Sequence, residues 1–129
     1  MLARDIMTRQ VITVRPTTTV KQLAKIFNKN QISGAPVVDK RGNILGIVSE
    51  ADAVFKQGKQ VKAIMSQPAI WVAEETPVKK MASLMATHKI KRLLVMRGRK
   101  LDGIISRADI VRAIALGHHI ALHTPIYDL

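Results

Sequence analysis

Cysteine is absent from the 129 residues. That excludes disulfides, thiolate metal sites and a cysteine nucleophile, and it agrees with a reducing cytoplasm. Aromatic residues make up only 3% of the chain, too few for a platform that stacks the bases of single-stranded nucleic acid. No apolar run approaches the ~20 residues that span a bilayer, and the opening Met1-Leu2-Ala3-Arg4-Asp5 is polar too early for a secretory signal. The expectation is a soluble, cytoplasmic protein with no membrane partner. Acids are scarce, nine against 21 lysines and arginines, for a net charge of +12. Such a balance attracts anions, among them nucleotides, nucleic acid and acidic proteins. Catalytic patterns are missing too. There is no Gly-x-Ser-x-Gly elbow, no pair of acids in one motif and no histidine close to a candidate nucleophile. No catalytic residue is expected, and the chain does not read as an enzyme.

Against these absences stands a hydrophobic share of 47%, enough for a core of Val, Ile, Leu, Met and Ala in one domain of usual size. The chain also repeats itself. Ile6-Met7-Thr8 lies over Ile64-Met65-Ser66 at an offset of 58 residues, and so does Ile12-Thr13-Val14 over Ile70-Trp71-Val72. Val20, Leu23, Ala24 and Phe27 fall on Val78, Met81, Ala82 and Met85. One residue is lost in the second copy's turn, so Gly46 meets Gly103 at an offset of 57. Two copies of one unit result, about residues 4–58 and 62–117, which divides the chain into repeats at 1–60 and 61–117 and a tail at 118–129.

Each copy reads as strand, helix, strand, strand, helix, a mixed α/β (α+β) pattern. Ile12-Thr13-Val14 is a short strand. Thr18 and Thr76 stand at N-cap positions, with Pro77 first in its helix. Apolar residues at i, i+3, i+4 and i+7 give amphipathic helices to about Asn30 and His88. Ala35 to Val38 and Leu93 to Met96 are buried strands, each joined by a glycine-bearing turn to Ile44–Val48 or Leu101–Ile105. A second helix starts at each serine, and Gly58 and Gly117 suit helix ends. A unit this small buries too little alone, so the two are expected to pack by their sheets in pseudo-two-fold symmetry.

The doubled turn is the most informative stretch: Gly46-Ile47-Val48-Ser49-Glu50-Ala51-Asp52 and Gly103-Ile104-Ile105-Ser106-Arg107-Ala108-Asp109. Serine followed by an acid three residues on, at a helix start after a strand, has two readings. It is a capping box, which stabilises a helix by roughly 0.5–2 kcal/mol without any ligand. It is also a set of hydroxyl, backbone N–H groups and carboxylate that can hold a phosphate and a ribose together.

The ordered set of these turns, the doubled Ile-Met-Thr/Ser opening and Ile32-Ser33-Gly34-Ala35-Pro36-Val37-Val38 resembles a tandem pair of CBS domains, the Bateman module, over residues 4–117. The resemblance implies a regulatory sensor, not an enzyme, that binds an adenosyl ligand in the cleft between two repeats and signals to a partner protein. AMP, ADP and ATP are the ligands the basic composition favours over S-adenosylmethionine or NAD, and no cofactor is required. It also implies a homodimer. Asp52 and Asp109 would accept from ribose hydroxyls, and Ser49 and Ser106 would bond a phosphate or ribose oxygen. Val48 and Ile105 would flank the base. Ile12 and Ile70 would form the apolar adenine slot. Lys91-Arg92 matches a His-Arg pair that some members set against phosphates, with lysine for histidine, and the first copy has the uncharged Ser33-Gly34 there.

Two unequal sites follow. Arg107 sits in the first turn of the second copy's helix where the first copy has Glu50, so the Ser106/Asp109 turn is expected to be the better phosphate site. Two alternatives are kept, a ligand-independent dimerisation module and a basic nucleic-acid-binding protein. Trp71 reads as a packing residue in preference to a lid over a base. His118, His119 and His123 in the tail lack a supporting carboxylate, and no metal site is expected.

Overall fold

The computed structural model describes residues 1–116. Its elements are α1 (Ala3–Ile6), α2 (Val20–Asn30), β1 (Gly34–Val38), β2 (Ile44–Ser49), α3 (Glu50–Phe55), α4 (Val61–Ile64), β3 (Trp71–Ala73), α5 (Val78–His88), β4 (Arg92–Arg97), β5 (Lys100–Ser106) and α6 (Arg107–Ala115). They form two compact units, one of residues 12–69 and one of residues 1–11 with those from 70 onward. The compact units are thus cut differently from the sequence repeats. The opening segment of each repeat, 1–11 or 61–69, completes the sheet of the other.

In the 12–69 unit, β1 and β2 pair antiparallel. Val14 bridges Val37 in parallel on one side, and Ser66 bridges Ile47 on the other. The 70–116 unit repeats this order: β3 runs parallel to β4, β4 antiparallel to β5, and Thr8 bridges Ile104. Both hairpins slip register once, between Val37 and Val38 and between Val95 and Met96. The turns use Gly42 (φ +84°) and Gly98 (φ +62°), as the sequence predicts. Ala35, Val37 and Val48 pack with Leu23, Phe27 and Val61 in one core. Leu93, Val95 and Ile105 pack with Val78, Met81 and Met85 in the other.

Several expectations are corrected. Residues 12–14 do not form a strand: only Val14 is laddered, donating to Pro36 O at 3.0 Å and accepting from Val38 N at 2.9 Å. The equivalent second copy shows why. There Leu94 N donates to Ile70 O at 3.1 Å, and the residue in Leu94's place is Pro36, which has no N–H to give Ile12. The caps lie one residue later than Thr18 and Thr76. Thr19 caps α2 in a reciprocal box with Gln22, while Thr18 accepts from Arg15 N. Pro77 is itself the N-cap of α5, its carbonyl accepting from Lys80 and Met81.

Gly58 does not end a helix, because α3 stops at Phe55 with Lys56 extended as its C-cap. Gly58 is small for another reason: a Cβ there would lie 2.6 Å from Ala63 Cβ. Gly117 and the histidine-bearing tail lie outside the described residues. Trp71 does not pack as expected, being 60% exposed on β3. The four-residue helices α1 and α4 and the left-handed C-caps Gln31 and Lys89, both at φ +54°, were not legible in the residue pattern.

Candidate functional site

Each serine–aspartate turn is built the same way. A buried strand delivers the serine, and the helix starts on the next residue. Ser49 and Ser106 have extended backbone and act as N-caps, each Oγ accepting from the N–H of its aspartate at 3.2 Å. The carboxylate reaches back in return. Asp52 Oδ2 accepts from Ser49 N at 2.9 Å and from Ser49 Oγ at 3.1 Å, and Asp109 Oδ2 accepts from Ser106 N at 2.8 Å. The N–H groups of Glu50 and Arg107, first in each helix, donate to Ser33 O and Lys91 O at 2.9 Å. Both turns are therefore complete capping boxes.

The second carboxylate oxygen differs between the copies. Asp52 Oδ1 meets Lys56 Nζ at 2.8 Å, and the same ammonium donates to Ile64 O at 3.1 Å. Asp109 Oδ1 meets Arg112 Nη1 at 3.0 Å from a guanidinium that is otherwise exposed. Asp52 is only 7% exposed, and Asp109 is half-buried. Sequence reasoning missed Lys56 and Arg112, although spacings of four and three residues on a helix bring such pairs together.

The cations next to the second turn are unmatched in the first. Arg92 stands opposite Ser106 in the β4–β5 ladder, where Gly34 stands opposite Ser49. Arg107 is exposed at the start of α6, and Glu50 holds that place on α3. The structure thus brings Ser106, Asp109, Lys91, Arg92 and Arg107 to one helix start. Val48 and Ile105, the residues before each serine, are fully buried, and their side chains belong to the two cores. Ile12 and Ile70 are half-buried at the start of the outer ladder position in their own units. Ile70 packs on its core and gives its carbonyl to Leu94.

Each unit also has a groove between two of its helices, α2 and α3 in one and α5 and α6 in the other. Equivalent residues line both, from Ala24, Phe27 and Val54 in one and from Ala82, Met85 and Val111 in the other. Their volumes are about 410 and 520 Å³. Among the described residues no cluster of three or more His, Cys, Asp or Glu side chains could hold a metal ion, and no helix is long and apolar enough to cross a membrane.

A family model for the CBS domain matches residues 3–57 and 61–116. Among curated proteins, the chain is 32% identical over 130 residues to an uncharacterized protein of Methanocaldococcus jannaschii, covering 85% of this chain and 31% of that one. It is 31% identical over 113 residues to an inosine-5'-monophosphate dehydrogenase of the same organism, covering 85% of this chain and 23% of the enzyme. The chain spans about a third or less of these relatives. Among solved structures, the CBS domain pair of protein MJ0100, in complex with 5'-methylthioadenosine and S-adenosyl-L-methionine, superimposes with a TM-score of 0.84 at 28% identity, over 89% of this chain and 96% of that one. CBSX2 in complex with AMP gives a TM-score of 0.79 at 27% identity over the same shares, and CBSX2 from Arabidopsis thaliana gives 0.76.

Proposed function

Because the chain belongs to the CBS-domain family, as two CBS domains in tandem, we propose that it is a regulatory module that binds an adenosyl ligand at its serine–aspartate helix starts, works as a homodimer and signals to a partner protein. One observation carries the reading: a carboxylate and a hydroxyl are fixed at the same helix start in both copies, in a chain similar to pairs solved with AMP and with S-adenosylmethionine. Ribose hydroxyls would donate to the aspartate oxygen now held by Lys56 or Arg112. A phosphate would take the positive end of the helix and the neighbouring cations. AMP, ADP or ATP suit a +12 chain better than S-adenosylmethionine or NAD. The ligand acts by population shift, favouring whichever arrangement of the chain places its contacts together. No catalytic step and no required cofactor are part of this reading.

The Ser106/Asp109 turn, with Arg92 and Arg107 beside it, is the stronger phosphate site. The Ser49/Asp52 turn, with Glu50 in its first helical position, is weaker or takes a less charged ligand. Titration calorimetry with AMP and ATP tests both statements. Asp109→Ala should cost at least about tenfold in affinity, roughly 1.4 kcal/mol, and Asp52→Ala clearly less. Equal losses remove the asymmetry. A melting temperature unmoved by millimolar AMP, ADP, ATP and S-adenosylmethionine removes the ligand reading, since a native-state ligand raises it by mass action.

A second reading has its own observation. Both aspartates are fully engaged inside the chain without a ligand, as a ligand-independent dimerisation module requires. The same thermal panel separates the two. A nucleic-acid role ranks below both, and it would show as affinity for a duplex that falls steeply with salt.

A further inference from the structure

The helix α2 carries a row of charge that its counterpart lacks. Lys21, Lys25 and Lys29 recur every fourth residue, and all of them are exposed. At about 1.5 Å of rise per residue they stand roughly 6 Å apart along the axis, on neighbouring turns of one face. The helix holds no acid. Lysines at this spacing repel one another, which works against the helix. The fold does not need them: α5 has Lys79, Ser83 and Thr87 in the same places and forms a helix of the same length. The row continues past the helix start. Val20 N donates to Lys59 O at 3.0 Å and Lys62 N to Pro16 O at 2.9 Å, so the backbone of Arg15, Lys59 and Lys62 lies beside the first turn of α2. Their side chains are exposed as well. Among the described residues none of these cations forms a salt bridge. The acids of the 12–69 unit are placed elsewhere: Asp39 in the β1–β2 turn, Glu50 at the start of α3, and Asp52 against Lys56. In the other unit the counterparts of Arg15, Pro16 and Thr17 are Ala73, Glu74 and Glu75. A solvated face mixes both signs, and this one does not.

We infer that this face is a track for the phosphate backbone of double-stranded nucleic acid, held without reading its sequence. Lysine suits the task, because an ammonium on a flexible stem is a point charge that meets a phosphate from many angles. One step of the row is close to the step between neighbouring phosphates on a strand, so successive lysines can engage successive phosphates. No aromatic side chain stands in the row to stack unpaired bases, which selects a duplex over a single strand. Each phosphate that a lysine neutralises releases a counterion, and that release supplies the affinity. The row sits on α2 and on neither serine–aspartate turn, so the inference stands independently of the ligand reading.

Fluorescence anisotropy of the full chain with a labelled random duplex of about 20 bp, from about 50 to 200 mM salt, tests the proposal. The affinity of the wild-type chain should fall with salt at a log–log slope of about −3 or steeper. Lys21→Gln/Lys25→Gln/Lys29→Gln should weaken binding at least about tenfold at the lowest salt and flatten the slope by about 3. Lys25→Gln alone should flatten it by about 1. Glutamine keeps the helix propensity of lysine, and circular dichroism checks the fold. Arg97→Gln/Arg99→Gln/Lys100→Gln removes the same charge from the β4–β5 turn and should leave the slope within about 1 of the wild type. Two triple variants that lose affinity and slope alike overturn the assignment to α2, because general attraction to a basic chain would then suffice. A wild-type chain that does not bind the duplex at about 50 mM salt overturns the proposal outright. Binding confined to phosphatidylserine vesicles also overturns it, giving the row to a membrane surface.

Discussion

Gly46→Ala is the perturbation whose cost the structure fixes most sharply. Gly46 lies in β2 with ordinary backbone, so no left-handed conformation is at stake. The obstacle is room. A Cβ at this position would stand 2.5 Å from Ser66 O and 3.1 Å from Gln67 Cγ. The first is a backbone atom of the segment that completes the sheet, and that segment must move. Overpacking of this kind costs about 1–3 kcal/mol. The move also strains the adjacent rung, where Ile47 N donates to Ser66 O at 3.0 Å and Ser66 N to Ile47 O at 2.8 Å. Loss of both bonds adds about 1–3 kcal/mol. Alanine returns about 0.4–1 kcal/mol by restricting the unfolded chain. The net is a destabilisation of about 3 kcal/mol, within a range of roughly 1–6, or about 12 °C in melting temperature at about 4 °C per kcal/mol for a domain of this size. Urea denaturation followed by circular dichroism reads it. Gly42→Ala is the contrast: it has nothing within 4 Å but a φ of +84°, and it should cost only about 1–2 kcal/mol. A Gly46→Ala variant as stable as Gly42→Ala would refute the steric argument.

Three other outcomes are expected. Asp52→Ala should destabilise the chain by about 1–2 kcal/mol, and by more than Asp109→Ala. Asp52 takes an extra bond from Ser49 Oγ and anchors Lys56, which also holds Ile64 O; chemical denaturation of the two variants side by side checks the order. Asp39 accepts from the Asn43 side chain, then from the Asn43 and Arg41 backbone, and these bonds hold its pKa below the ordinary 3.8. A lowered folded-state pKa means that its contribution to stability is present above about pH 3.8 and lost as pH falls through the folded value. Asn43→Ala should raise that pKa in an NMR titration, and an unmoved pKa would contradict the assignment. Trp71 is the single tryptophan of the chain and is 60% exposed, so acrylamide should quench its fluorescence readily; protection from quencher would place it in a contact that the structure lacks.

The parts of the fold written in local chemistry were legible in the residues. The helices α2 and α5 follow from their apolar spacing, the hairpin turns from Gly42 and Gly98, and α3 and α6 from the serine with an acid three residues on. Of the turn's two readings, the capping box is observed in full. What escaped depends on distant partners. Ile12-Thr13-Val14 has strand composition, but Pro36, 24 residues away, withholds the N–H that a longer ladder needs. Gly46 and Gly103 look like flexible punctuation; their role is to admit Ser66 and Met7. Lys56 and Arg112 escaped because a cation three or four residues after an acid reads as an ordinary surface pair. The exchange of opening segments between repeats has no local signature, since Ile6-Met7-Thr8 and Ile64-Met65-Ser66 are alike and either composition fits either sheet.

That exchange bears on how the molecule is made. Thr8 pairs with Ile104, so once Thr8 has left the ribosome its rung waits for 96 more residues before it can close, roughly 5 to 20 seconds at the usual pace of translation. Residues 12–69 face no such delay, because every strand they need is already out. During that interval Met7, which will cover Gly103, and the unpaired backbone around it are exposed to whatever is nearby. A growing chain that finishes residues 12–69 first still has residues 1–11 waiting for the sheet they complete.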